Sequence, residues 1–186
     1  MASATVGEID DAGRACGVIW VPSPNFDARP PNAGISLLVV HNISLPPGEF
    51  GGDGIVRLFC NTLDYAAHPY FETLRGLCVS SHFLVRRGGE LLQFVSCLDR
   101  AWHAGLSNWR GRDRCNDFSI GVELEGVDEL PYADAQYETL AHLTRVLRRR
   151  YPILDLAGHS DIAPGRKSDP GGAFDWPRYR RALSDT

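Results

Sequence analysis

Six histidines are spread along the chain, at His41, His68, His82, His103, His142 and His159, and two of them stand where chemistry is usually done. His41 closes an apolar run, Ile35-Ser36-Leu37-Leu38-Val39-Val40, with the length and branching of a buried central strand. Side chains at the end of such a strand commonly emerge into the active sites of α/β folds. His159 follows Leu154-Asp155-Leu156-Ala157-Gly158, which reads as a second strand end, and it opens a segment running to Gly171. That segment holds Asp161, Asp169, Arg166 and Lys167 between Gly/Pro turns. Rigid turns presenting convergent ionisable groups suit a metal or catalytic site, although a solvated connecting loop has the same composition. The other histidines have plainer readings. His142 lies inside an amphipathic helix, His82 opens a hairpin strand as a satisfied core residue, and His68 precedes Pro69 in a loop.

Acid–base candidates come from a third strand, Ser119-Ile120-Gly121-Val122-Glu123-Leu124-Glu125-Gly126. Its alternation puts Ile120, Val122 and Leu124 on one face, and Gly121, Glu123 and Glu125 on the other. Periodicity alone does not choose between the two glutamates. Lys167 is the one lysine in the sequence, every other basic residue being arginine, which fits a positional demand for an ammonium group there.

These residues need a scaffold, and the pattern supplies one. His82 to Arg86 and Glu90 to Val95 form a predicted β-hairpin around Gly88-Gly89. Between Asp134 and Tyr151, Tyr137, Leu140, Thr144, Leu147 and Tyr151 recur on one helical face. Asp134 favours the start of this helix, Arg148 to Arg150 complement its C-terminal dipole, and Pro152 ends it. A short final helix begins at Phe174-Asp175-Trp176-Pro177 with Asp175 as N-cap, and a weaker one covers Ile55 to Cys60. The expected fold is α/β, with helices packed on a mixed central sheet of at least four strands. It forms one continuous domain over residues 1–186, with residues 1–20, which carry no strong pattern, less ordered.

Composition excludes several functions. At 186 residues the chain suits one well-buried core, and a net charge of −4 argues against a nucleic-acid or other polyanion binder. No run approaches the roughly 18 apolar residues that span a bilayer, and the first fifteen residues lack the apolar stretch of a secretory signal peptide. Five scattered cysteines, Cys16, Cys60, Cys78, Cys97 and Cys115, contain no C-x-x-C pair and suit reduced thiols in a cytoplasm.

Longer motifs add a family resemblance. Val21 to Phe26, Leu38 to Gly52, His68-Pro69-Tyr70-Phe71, Arg100-Ala101-Trp102-His103-Ala104-Gly105, Cys115 to Gly126 and His159 to Gly171 follow one another in order. Together they resemble the zinc amidase family that includes bacteriophage T7 lysozyme and the peptidoglycan recognition proteins, and within it the cytosolic anhydro-N-acetylmuramyl-L-alanine amidases. The resemblance covers nearly all of the chain beyond residue 20 and implies that family's zinc amidase fold.

The resemblance implies a Zn²⁺ cofactor on His41, His159 and Asp169. Two imidazoles and a carboxylate leave a tetrahedral ion one open position, as hydrolytic zinc sites require. T7 lysozyme-like members often use cysteine as the third ligand, and the aspartate points to the anhydromuramyl branch. It also implies Glu123 as the base that takes a proton from the attacking water and passes it to the leaving amine, with Glu125 in an ion pair or supporting role. Lys167 is implied to stabilise the oxyanion.

The implied substrate is an anhydromuropeptide, cut at the amide between its lactyl group and L-Ala in cell-wall recycling, which would limit β-lactamase induction. Arg114 is the first candidate for its carboxylates, ahead of Arg110 and Arg112, whose plainer reading is a solvated basic loop. Asn42 and Trp102 are expected to line the sugar or peptide pocket. Where relatives carry Leu-Arg-Val-Ser, this chain has Leu77-Cys78-Val79-Ser80, so one stem-peptide contact is expected to be missing or replaced. The expected protein is a cytoplasmic monomer with neither membrane nor nucleic-acid partner. A peptidoglycan-binding module without turnover and a secreted wall-degrading amidase are the competing readings. The complete ligand and acid–base set argues against the first, and the absent signal sequence and unpaired cysteines against the second.

Overall fold

Alternating apolar residues on the buried strands build a six-stranded sheet in the computed structural model, which describes residues 6–184. The strands are β1 (Ile19–Trp20), β2 (Phe26–Ala28), β3 (Leu37–Ile43), β4 (Phe83–Val85), β5 (Leu91–Gln93), β6 (Asp99–Ala101), β7 (Asn108–Trp109), β8 (Arg112–Asp113), β9 (Ser119–Glu125) and β10 (Asp155–Gly158). The helices are α1 (Gly54–Phe59), α2 (Pro69–Glu72), α3 (Asp134–Arg150), α4 (His159–Ile162) and α5 (Trp176–Ser184). The sheet runs β1-β5-β4-β9-β3-β10, parallel except for the antiparallel β4–β5 hairpin. Two small ribbons, β2–β6 and β7–β8, lie outside it.

The two longest strands sit centrally and are buried along most of their length, which explains their Val/Ile/Leu-rich runs. Leu38 and Val40 of β3 and Ile120, Val122 and Leu124 of β9 pack with Leu140 and Leu147 of α3 and Tyr179 of α5. Leu37 and Val39 belong to a different cluster, with Ala104, Phe118 and Ala157. A third cluster joins Leu84 and Leu92 to Ile55, Leu58 and Phe59 of α1. Successive strand side chains point to opposite faces, so His41 and Glu123 lie on the face away from α3 and α5.

The expected long helix, hairpin and final helix are all present, and Asp175 Oδ1 accepts the Arg178 N–H at 2.8 Å as the N-cap should. Two expectations change, and the sheet exceeds the expected minimum of four strands. β3 begins at Leu37 and continues two residues past His41, so the histidine lies within the strand, close to its end. The sheet has six strands because two-residue and three-residue pieces, too short to show a period, pair along its edge. The first five residues of the segment expected to be less ordered lie outside the described residues. From residue 6 onward it is pinned to the body: Val6, Ile9 and Ala15 are buried, and the Gln93 side chain accepts the Ala15 N–H at 2.8 Å. Three apolar side chains without a repeat leave no periodic signal, yet tertiary packing holds them.

All five cysteines are unpaired, as their spacing suggested. Among the described residues no helix is long and apolar enough to cross a membrane.

Leu140, fully buried beneath the sheet, and Leu154, 79% exposed, make a direct test of this packing. Leu140→Ala is expected to lose about 2–5 kcal/mol in urea unfolding, and Leu154→Ala less than about 0.5 kcal/mol. Equal losses would contradict the core described here.

Candidate active site

The register of three parallel strands sets the site. Pairing of β3 with β9 puts His41 opposite Glu123, and pairing of β3 with β10 puts Val40 opposite Gly158. The next residue, His159, starts α4 and lies beside His41. The Ser160 N–H then donates to the main-chain oxygen of Asp169 at 2.9 Å, closing residues 160–169 into a loop that returns Asp169 to the two histidines. Gly158 permits this closure, because a Cβ there would sit 2.8 Å from Pro170 Cδ.

His41 Nδ1, His159 Nδ1 and Asp169 Oδ2 form a triangle with every side 3.0 Å. Donors around a tetrahedral ion with bonds of about 2.0–2.1 Å are spaced by roughly 3.3 Å, so the triangle fits one face of such a site. The outward ring nitrogens are engaged: His159 Nε2 lies 3.1 Å from the Ala104 carbonyl and His41 Nε2 lies 2.9 Å from His103 Nδ1. A carbonyl can only accept, so His159 carries its proton on Nε2 and turns the Nδ1 lone pair inward. Both imidazoles are buried. Burial pushes His41 down to about 4, which keeps a neutral, ligating form at neutral pH. Burial works the other way on Asp169, yet the adjoining His159 and His41 imidazoles hold its carboxyl below the usual carboxylate range. This is a donor set suited to a divalent cation of zinc's chemistry.

The structure separates the two glutamates that alternation left equivalent. Glu125 is buried and fully engaged, accepting from the Gly51 N–H at 2.7 Å, the Arg87 N–H at 3.1 Å and the Arg86 guanidinium at 3.4 Å. Glu123 is only 8% exposed, and its Oε2 has no hydrogen-bond partner. Burial, followed by the nearby Asp169 charge, raises its carboxyl well above the ordinary range, while Lys167 opposes the shift. A buried, unpartnered carboxylate beside three atoms that could hold a metal is arranged to exchange a proton.

His41, Glu123, His159, Lys167 and Asp169 all line one cleft of about 400 Å³. Lys167 is exposed on its rim. Asn42 and Trp102 line the same cleft; Asn42 donates to Asp128 at 2.7 Å, and the Trp102 indole N–H donates to Asp27 at 3.3 Å. Apolar Leu45, Leu74 and Leu77 line it as well. Arg114 is outside this lining. Its guanidinium pairs with Asp117 at 3.3 Å, and Asp117 in turn holds Arg100, which grips the same Asp27 that supports Trp102. Arg110 pairs with Asp155, and Arg112 stacks over Phe118.

His68 caps α2, His142 lies 2.8 Å from the Val6 carbonyl, and His82 accepts the Gly121 N–H, so these three are structural as their sequence contexts indicated. His103 is the residue that sequence reasoning passed over. It backs His41, and the one signal for it was its place between Trp102 and Ala104 in an aperiodic loop.

Residues 31–172 match the family model described as N-acetylmuramoyl-L-alanine amidase. The chain is 60% identical over 166 residues to the 1,6-anhydro-N-acetylmuramyl-L-alanine amidase AmpD of Salmonella typhimurium (strain SL1344), covering 88% of this chain and 89% of the relative. It superposes on a crystal structure of a selenomethionine AmpD derivative with a TM-score of 0.91 at 56% identity, over 93% of this chain and 98% of that one. It also resembles the Escherichia coli amidase AmiD, solved in complex with the substrate anhydro-N-acetylmuramic acid-L-Ala-D-γ-Glu-L-Lys. There the TM-score is 0.60 at 28% identity, over 95% of this chain and 65% of that one.

The contrast between the glutamates yields a stability test. A carboxyl whose folded pKa is raised takes up a proton on folding, so it destabilises the fold at pH values above its unfolded pKa of about 4.3. Metal-free Glu123→Gln is therefore expected to melt above the metal-free wild type at pH 7, the difference vanishing below about pH 4. Glu125→Ala strands buried N–H donors and is expected to lose about 1–3 kcal/mol. Calorimetry on the metal-free proteins checks both signs; a destabilised Glu123→Gln at pH 7 would contradict the assigned environment.

Proposed function

This chain belongs to the N-acetylmuramoyl-L-alanine amidase family, and from that membership we propose that it is a zinc-dependent amidase acting on anhydromuropeptides. The bond cut is the amide between the lactyl group of anhydro-N-acetylmuramic acid and the L-Ala of the stem peptide. One observation carries the reading: three convergent metal-binding atoms and an unpartnered buried carboxylate share one cleft. A non-catalytic binding module of the same fold has no need of that combination.

His41, His159 and Asp169 would hold the zinc. When bound, zinc polarises the scissile carbonyl and acidifies the attacking water. Glu123 accepts that water's proton and delivers it to the departing amine of L-Ala. Its raised pKa brings it closer to neutral pH, where one group can serve as base and then as acid. Lys167, on the same rim, answers negative charge developing on the carbonyl oxygen.

Trp102 and Asn42, which share the cleft lining with apolar Leu74 and Leu77, are suited to hold the sugar and the first stem residues against the reactive groups. Arg114, exposed and joined to Trp102 through Asp117, Arg100 and Asp27, is placed to meet a stem-peptide carboxylate beyond the cleft. The cleavage belongs to cell-wall recycling in the cytoplasm, where removal of uncut muropeptides limits β-lactamase induction.

Purified protein is expected to carry one zinc per chain and to split anhydro-N-acetylmuramyl-tripeptide at the lactyl–L-Ala bond, as read by mass spectrometry of the products. Glu123→Ala should retain the zinc and lose about 10²–10⁴-fold in kcat. Hydrolysis that persists after complete chelation, or cleavage between stem residues, would overturn the proposal.

A further inference from the structure

One side-chain amide stands behind both histidines of the metal triangle. Asn116 Oδ1 accepts the His103 N–H at 3.2 Å and the Ala104 N–H at 2.8 Å. These consecutive residues provide the outward partners of the two imidazoles. His103 Nδ1 faces His41 Nε2 at 2.9 Å, and the Ala104 carbonyl accepts from His159 Nε2 at 3.1 Å. We propose that Asn116 is a positioning residue of the metal centre, fixing through the His103–Ala104 turn the orientation of both His41 and His159.

The surroundings give the turn little freedom to drift. His103 Nε2 lies 3.1 Å from the fully buried Ser119 Oγ. With the Nε2 proton donated to Ser119, His103 Nδ1 is an acceptor, and His41 keeps its own proton on Nε2 with the Nδ1 lone pair turned toward the metal. Ring and strand meet at Gly121, where a Cβ would fall 2.5 Å from His103 Cγ, so any larger residue there must displace the ring. Ala104's carbonyl also accepts from Arg166 at 2.8 Å, fixing its direction. Asn116 is held in turn: Arg29, planted between strands, donates to the main-chain oxygens of Asn116, Asp117 and Ser119 at 3.0, 3.1 and 2.8 Å. The anchor thus runs from a half-buried guanidinium through one amide to two ligands.

Removing the Asn116 oxygen leaves two N–H groups unanswered behind the site, and the turn must rotate to satisfy them. Partners behind metal ligands typically govern affinity by 10–100-fold. Asn116→Asp retains the acceptor oxygen, whereas Asn116→Ala does not.

The proposal rests on His41 and His159 being the metal ligands, and the test separates the two. Zinc dissociation constants are measured by chelator competition on full-length wild type, Asn116→Ala, Asn116→Asp and His159→Ala, alongside the visible spectrum of the Co²⁺-loaded proteins and the Tm of the metal-free ones. Asn116→Ala is expected to bind zinc about 10–100-fold more weakly with a shifted Co²⁺ spectrum, and Asn116→Asp to restore most of the affinity and the spectrum. A wild-type constant and spectrum for Asn116→Ala, or an aspartate variant as weak as the alanine one, overturns the positioning role. If Asn116→Ala does not fold, Asn116→Ser, whose oxygen is too short to reach both N–H groups, takes its place with the same expected weakening, and a wild-type constant refutes it. Undiminished zinc binding by His159→Ala would instead refute the ligand assignment itself.

Discussion

Three acceptor atoms held 3.0 Å apart in a buried setting are the constraint around which this fold is arranged. Two imidazole lone pairs and a carboxylate oxygen repel one another at that distance unless a proton or a cation lies between them. The chain keeps them there by satisfying every other need of those side chains. Each histidine spends its outward nitrogen on a partner, and Asp169 is returned by a loop closed on its own main chain. The crowding is therefore built into the backbone, and a divalent cation would relieve it.

The sheet supplies the precision. Parallel pairing of β3 with both β9 and β10 brings positions 41, 123 and 159 together from segments separated by tens of residues, while α3 and α5 cover the opposite face. Stability and chemistry are divided between neighbours on one strand. Glu125 is fully hydrogen-bonded and ties the loop bearing Gly51 to the hairpin turn at Arg87. Two residues away, Glu123 is left without a partner for its Oε2. An unanswered buried carboxylate destabilises the fold, which is the usual mark of a group kept for function.

Much of this was legible in the residues. An apolar run marked β3, alternation marked β9, the 3.6-residue period marked α3, and strand position singled out His41 and His159 from six histidines. Asp169 was legible only through the family resemblance, because a single aspartate before a Pro-Gly turn has an equally good reading as a turn residue. Glu123 and Glu125 share a face and a residue type; what separates them is which backbone N–H groups lie nearby, a tertiary fact. His103, Asn116 and Gly121 lie inside the family motifs, yet their roles were not legible for the same reason: they rest on contacts between an aperiodic loop and a strand. The short edge strands escaped because two or three residues cannot display a period of two.

X-ray absorption at the zinc edge of the loaded protein shows directly whether a zinc ion sits on two imidazoles and one carboxylate in this cleft. The expected first shell is nitrogen and oxygen only, at about 2.0–2.1 Å, with the outer-shell scattering of two imidazole rings. A sulfur shell near 2.3 Å, placing any of the five cysteines on the metal, or a first shell without imidazole, would contradict it.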